Sequence, residues 1–432
     1  MKSDVIFHYG MNYKKTTLKN GLTIITAPIK DSPSATVLVM VKTGSKYETK
    51  EISGLSHFLE HMCFKGTTKR PKAIDIAREI DSLGAQNNAF TAQEFTGYYA
   101  KAHPKHLLQV LDVVSDIYLN PVFDPNEIEK EKGVIVEEIN MYDDIPQQLV
   151  VLAFMDAMYG DQPAGWSVAG TKEVVKKMTQ KDFLEYRKKH YVAEATTVLI
   201  AGDIDQKKAI EEVKKLFKHI PTSKKSGKKK VVEIQTAPII KIKNKETDQT
   251  HIVLGVKTFK ATDKKNYALE VLNTVLGRGM SSRLFQKLRE EMGVGYYVRS
   301  RVDTYTDHGY LVVSTGVDKT RVEEVVTAVL AEMRKLVTEP VTAEEISKAK
   351  EFLIGNMYMG LESSDAIAEY YAIQDILEDK ILTPAEYAKK IQKVTAKEIQ
   401  KVAREIMQDK KLVMAIVGNI KDEKSLSNIF HF

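Results

Sequence analysis

With 432 residues, 43% hydrophobic and 28% charged, the chain has the make-up of a folded globular protein, which excludes collagen-like, fibrous and disordered classes. Its 64 basic and 58 acidic residues leave a formal net charge of +6 spread along the sequence, so nucleic acid is not called for as a partner. A single cysteine, Cys63, excludes an internal disulfide and fits a reducing compartment. There is no uninterrupted apolar run of about 18 residues, and the opening MKSDVIFHYGMNYKK lacks the apolar core of a signal peptide. A cytoplasmic protein with no membrane partner is expected, and the length favours two or more domains.

In chain order, the first informative segment is GLSHFLEHMCFKG, residues 54–66, helical from Leu55 to about Phe64 with Gly66 just beyond. His57 and His61 stand at i and i+4, on one face, where two imidazoles can converge on one zinc ion. Glu60 points beside that face, within reach of a water at the metal. Cys63 lies among apolar neighbours and reads as core. Next come a helix from Pro71 to Gly84, a short strand over Asn88–Thr91, and an amphipathic helix over 104–119.

Zinc in a catalytic site needs a third protein ligand and an open position. The helix NEIEKEKGVIVEEINMY, residues 126–142, has an apolar stripe through Ile128, Ile135, Ile139 and Tyr142. Glu131 and Glu138 fall on or beside that stripe, two turns apart, while Glu137 turns away from it. A carboxylate on a buried face is costly unless it is paired or bound to a metal. Glu138 is the candidate third ligand and Glu131 a carboxylate orienting the site; boundary positions on an amphipathic helix would give the same pattern.

The second half repeats the first. TQKDFLEYRKKHYVAEATTVLIAGDI, residues 179–204, aligns without a gap on TAKEIQKVAREIMQDKKLVMAIVGNI, residues 395–420, at an offset of 216. Each reads as a helix opened by a threonine cap, a short loop and a buried strand. A fainter echo pairs Gly97-Tyr98 with Gly309-Tyr310, each ahead of a long helix, 104–119 and 319–336. We therefore expect an α+β fold of two homologous domains, 1–220 and 236–432, each a mainly antiparallel sheet with helices packed on one face. The lysine-rich stretch 221–235, including KKSGKKK at 224–230, reads as a solvated linker.

These motifs resemble the pitrilysin/insulinase family of zinc peptidases, of the inverted H-x-x-E-H type, and its short branch that includes the mitochondrial processing peptidase. The resemblance spans nearly the whole chain. It places a glutamate ligand 77 residues beyond the second histidine, which is Glu138, and a further functional glutamate seven before it, which is Glu131. GRGMSSRLFQKLREEMGVGYYV, residues 277–298, is similar to the family's G-G-G-x-S-S-R-L segment, with Arg278 standing where the pattern has glycine. The arginine and tyrosine that help hold substrate there fall on Arg289 and Tyr296; from the residues alone Arg289 would read as solvated and Tyr296 as core. The family's N-A-x-T edge strand carries over Asn88, Ala89 and Phe90 as substrate contacts, with Glu94 as a further one.

The resemblance implies one zinc per chain held by His57, His61 and Glu138, with Glu60 as general base, and peptide or unfolded polypeptide as substrate. It further implies two halves enclosing a chamber, and a homodimer. Two other readings stand beside it: a metal-binding subunit of a hetero-oligomeric processing peptidase, and a non-catalytic scaffold subunit.

Overall fold

The computed structural model describes residues 11–295, 297–420 and 423–432. The first sheet comprises β1 (Lys14–Thr17), β2 (Thr23–Pro28), β3 (Ala35–Val41), β4 (Gln86–Thr91), β5 (Thr96–Ala102) and β6 (Thr196–Gly202), in the order β1-β2-β6-β3-β5-β4. The second comprises β7 (Ile239–Asn244), β8 (Thr250–Lys257), β9 (Tyr297–Thr304), β10 (Gly309–Val317) and β11 (Leu412–Gly418), in the order β7-β11-β8-β10-β9. Setting β1 aside, the two orders are the same, and in each only the pairing equivalent to β2–β6 is parallel. The architecture is the expected α+β one, two mainly antiparallel sheets with helices.

The 216-residue offset holds at the level of atoms. Helices Gln180–His190 and Ala396–Ile406 occupy equivalent positions, as do β6 and β11. Both helices open on a capping box: Thr179 N–H donates to Asp182 Oδ2 at 2.7 Å and Thr395 N–H to Glu398 Oε2 at 2.9 Å. The fainter echo needs a correction of one residue. The β4–β5 hairpin closes between Ala92 and Phe95, and the β9–β10 hairpin between Tyr305 and His308. Their tips thus match Glu94 with Asp307, and Gly309 corresponds to Thr96, not to Gly97.

Helices do not stay on one face, as the sequence suggested; each sheet is covered on both. β6 and β11 are buried at every position, so neither face of either sheet can be left to water. The metal-motif helix Leu55–Met62 and helix Leu107–Leu119 pack on one face of the first sheet, with Val37, Val39 and Val41 beneath them. Its other face, Ile25, Leu38, Met40 and Leu199, is covered by Ile367, Ala368, Tyr371 and Ala372 of helix Ser364–Leu377, which comes from the second half. The exchange is reciprocal: Leu149, Val150, Phe154 and Met158 of helix Pro146–Tyr159 cover Val253, Val312, Val413 and Ala415 of the second sheet. Buried polar contacts fix the exchanged helix in place. Asp375 takes Thr197 Oγ1 at 2.7 Å and pairs with Lys15 and Lys42, and Ser364 Oγ meets Thr36 Oγ1 at 2.8 Å.

Among the described residues, no helix is long and apolar enough to cross a membrane. The exchange makes a prediction about the halves. Residues 1–220 expressed alone should expose the Ile25–Leu38–Met40 face and aggregate, and Tyr371→Ala in the whole chain should cost about 3 kcal/mol or more. A soluble, cooperatively unfolding 1–220 fragment in size-exclusion and denaturant experiments would contradict this.

Candidate metal centre

The helix Leu55–Met62 starts where Gly54, at φ +98°, lets the chain pass against Ala169 and Gly170; a Cβ there would sit 2.5 Å from the Ala169 carbonyl. Its first turn is held by a buried carboxylate that sequence reasoning missed: Glu48 accepts from Ser56 N–H at 2.6 Å and Gly54 N–H at 2.7 Å. Burial pushes the Glu48 carboxyl up to about 7, against those hydrogen bonds. Phe58, Leu59, Met62 and Cys63 face the core, Cys63 Sγ lying 3.6 Å from the Tyr98 hydroxyl. That burial leaves His57 and His61 on the opposite, half-open side, their rings 4.7 Å apart.

The helix Pro125–Asp144 supplies the facing carboxylates. It is capped by Asp124, which accepts from Asn126 and Glu127 N–H, and it presents Glu138 to both imidazoles while Glu137 stays exposed. Glu138 Oε2 lies 3.5 Å from His57 Nε2 and 3.7 Å from His61 Nε2. Its other oxygen accepts from the Tyr142 hydroxyl at 2.6 Å, a partner the sequence showed only as part of an apolar stripe. The hydrogen bond from His57, working against partial burial, holds the Glu138 carboxyl down at about 2.

Glu131, 4% exposed, accepts from His61 Nδ1 at 2.9 Å and pairs with Lys65 Nζ at 2.5 Å. Burial would raise its carboxyl, but His61 and Lys65 together hold it below the ordinary range. Its bond to Nδ1 leaves His61 Nε2 aimed at the group's centre, which fixes the tautomer a metal requires. Glu60 stands beside the histidines, and its Oε2 accepts from Thr91 Oγ1 at 2.5 Å. Burial is the main influence on it and pushes its carboxyl up.

Among the described residues, the ligand atoms of His57, His61 and Glu138 form the one group of three lying within 4.8 Å of one another that could hold a metal ion. Zinc bonds of about 2.0–2.1 Å in a tetrahedron set donors about 3.3 Å apart. The 3.5 and 3.7 Å separations need only a slight contraction to meet that. Nε2 of both histidines faces one oxygen of Glu138, and two imidazoles with one carboxylate are a donor set suited to zinc. The residues fit the ion.

The other sequence candidates are placed less centrally. On β4, the alternation set by the Ala92–Phe95 closure pairs Asn88 and Phe90 with β5 and turns the main chain of Asn87, Ala89 and Thr91 to the open edge. Of Asn88, Ala89 and Phe90, therefore, only Ala89 turns its backbone there, its N–H donating to Asn88 Oδ1 at 2.9 Å; the Phe90 ring lies across Gly97 and packs with Phe95, toward the exchanged helix. Arg289 lies on a helical turn, Phe285–Glu291, and donates to the Gly295 carbonyl at 3.4 Å, beside a cleft lined by Val294, Asp318 and Arg321 of its own half. Tyr296 lies outside the described residues. Glu94 and Lys228 are not open to solvent or substrate: Glu94 is 1% exposed and Lys228, from the expected solvated linker, pairs with it at 3.1 Å.

Fold and site define a class: two duplicated α+β halves with a zinc-compatible group in the first. A family profile described as Insulinase (Peptidase family M16) matches residues 23–172, and one described as Peptidase M16 inactive domain matches residues 177–353. The chain is 34% identical to the uncharacterized zinc protease YmxG of Bacillus subtilis over 91% of its length and 95% of that protein's. It is 32% identical to an uncharacterized zinc protease of Streptomyces coelicolor over 95% of its length and 91% of that protein's. Among solved structures, a protease from Helicobacter pylori shares the fold at a TM-score of 0.88 with 23% identity, covering 94% of this chain and 99% of that one. The chain belongs to the pitrilysin/insulinase family, peptidase family M16.

Zinc titration of the metal-free protein separates the two glutamates. Glu138→Gln should abolish stable binding, whereas Glu131→Gln should weaken it about 10- to 100-fold; unchanged zinc affinity in Glu138→Gln would remove that residue from the ligand set.

Proposed function

We propose that this chain is a zinc-dependent endopeptidase that hydrolyses flexible peptides or unfolded segments, with one zinc held by His57, His61 and Glu138. The observation that carries the reading is the joining of three elements at one place: the His–His–Glu group, a buried carboxyl at Glu60 beside it, and an open strand edge linked to that carboxyl through Thr91. When bound, zinc supplies a Lewis acid that acidifies a water and polarises a carbonyl.

The chain's own residues do the rest. An extended peptide adds to the open side of β4 through the main chain of Asn87, Ala89 and Thr91, a mode that tolerates many side chains. Thr91 holds one oxygen of Glu60 and leaves the other free for the attacking water. Because burial raises its carboxyl, Glu60 is a stronger base than an exposed glutamate, so it takes the water's proton and returns it to the departing amide nitrogen. Glu131 keeps His61 in the ligating tautomer, and Tyr142 fixes the second oxygen of Glu138. Arg289 and Tyr296 of the second half are assigned to hold the substrate beyond the scissile bond, in a chamber between the halves of a cytoplasmic homodimer.

A second reading is a metal-bearing subunit of a two-chain peptidase, favoured by the place of Arg289 beside a cleft lined by Val294, Asp318 and Arg321. Activity of the purified chain alone, with its mass from size-exclusion and light scattering, decides between them.

Glu60→Gln should keep zinc and lose about 10²- to 10⁴-fold in kcat on peptides. Full activity in that variant, or none in the zinc-loaded wild type against a mixed peptide library, would overturn the peptidase reading.

A further inference from the structure

Hairpin turns ordinarily lie in water, yet Gln93 and Glu94 at the β4–β5 tip are 7% and 1% exposed. They are buried because the tip meets its own counterpart. The two-residue turn of β9–β10, Thr306-Asp307, is the equivalent turn of the second half, and each turn offers a carboxylate at its second position.

Two lysines bridge the carboxylates. Lys46 Nζ, 1% exposed, lies 2.9 Å from Glu94 Oε1 and 2.6 Å from Asp307 Oδ1. Lys228 Nζ, from the segment joining the halves, lies 3.1 Å from Glu94 Oε1 and 2.8 Å from Asp307 Oδ2. Glu94 also accepts from Thr306 N–H at 2.8 Å and Thr306 Oγ1 at 3.0 Å, and Asp307 accepts from Val231 N–H at 3.1 Å and His308 Nδ1 at 2.9 Å. Two anions and two cations balance, and four separate parts of the chain are pinned at one point. Such a buried set is a poor source of net stability but a strict setter of geometry, because any displacement leaves a charge unpaired.

What it sets is next to the reaction. The same turn is fixed from below by Ser45 N–H and Lys46 N–H donating to the carbonyls of Ala92 and Gln93. Three residues before Glu94 stands Thr91, whose hydroxyl holds Glu60 and whose main chain ends the open edge of β4. We propose that Glu94 is a positioning residue for the peptidase reaction: locked to Asp307 through Lys46 and Lys228, it fixes Thr91, and with it Glu60 and the edge that takes the peptide. The inference rests on the peptidase reading. It makes the chemistry of the first half depend on an aspartate of the second half that touches neither metal nor substrate.

The test compares zinc-loaded wild type, Glu94→Gln and Asp307→Asn, together with Lys46→Met/Glu94→Gln, which keeps the cluster neutral if a single variant does not fold. Expected are full zinc content and a fall of roughly 10- to 100-fold in kcat for both single variants, the size of loss that a small misplacement causes, with KM changed less. The combined Glu94→Gln/Asp307→Asn variant should lose no more than the worse single one, because both break the same lock. The neutral pair should regain thermal stability but not kcat. Hydrogen exchange of residues 86–91 should quicken in every variant while the Gln180–His190 helix stays protected. Wild-type kcat in Glu94→Gln, losses that simply track the unfolded fraction, or unaltered exchange over 86–91 would each overturn the proposal. A wild type that cleaves nothing overturns the peptidase reading instead, and the exchange measurement still decides whether Glu94 fixes the strand.

Discussion

The fold rests on one constraint: each sheet has two apolar faces, and its own half brings helices for only one. Strands such as TTVLIAG and LVMAIVG alternate no polar residues, so a half left to itself would present an apolar sheet face to water. The chain meets this by exchange, with Pro146–Tyr159 lying on the second sheet and Ser364–Leu377 on the first. Burial of those two faces joins the halves despite their separate sheets.

The metal group inherits its geometry from that exchange. Glu138 and Tyr142 ride on the helix Pro125–Asp144, which packs against the metal-motif helix and turns at Ile145 directly into the helix laid on the second sheet. The position of Glu138 is therefore fixed from both halves at once: by Asp124 capping and core contacts at Ile128 and Ile135 on one side, and by Leu149 and Val150 on the other. Lys245 of the second half, donating to the Asp143 carbonyl at 2.7 Å, ties the turn between the two helices. A carboxylate braced at both ends of its helix is thus held facing the two histidines of the eight-residue Leu55–Met62 helix.

Much of this was legible in the sequence, for reasons that differ by residue. The i, i+4 histidines and the seven-residue spacing of Glu131 and Glu138 are properties of single helices, and local periodicity transmits them faithfully. The duplication was visible because the caps at Thr179 and Thr395 and the strands that follow are local too. What stayed hidden is what depends on pairings far apart in the chain. Glu48 under the metal-motif helix, Thr91 on Glu60 and Lys65 on Glu131 carry no spacing signal of their own, because each meets its partner across a packing interface. Phe90 was carried over as a substrate contact by the family resemblance; the sequence did not show the register that lays its ring across Gly97. The exchanged helices had one available signal, the absence of alternation in β6 and β11, which already said that both faces are covered.

The duplicated halves differ at the candidate metal centre. The second half places helix Asn266–Gly277 where the first places the metal-motif helix, but Ala268, Leu269, Val271 and Leu272 fill it with core side chains. The second half supports the first: its sheet takes the helix that follows Glu138, its hairpin tip meets the tip beside Thr91, and its own helix closes the first sheet. The equivalent hairpins meet tip to tip on sheets that share one strand order, so the repeated packing braces the candidate site from the second half.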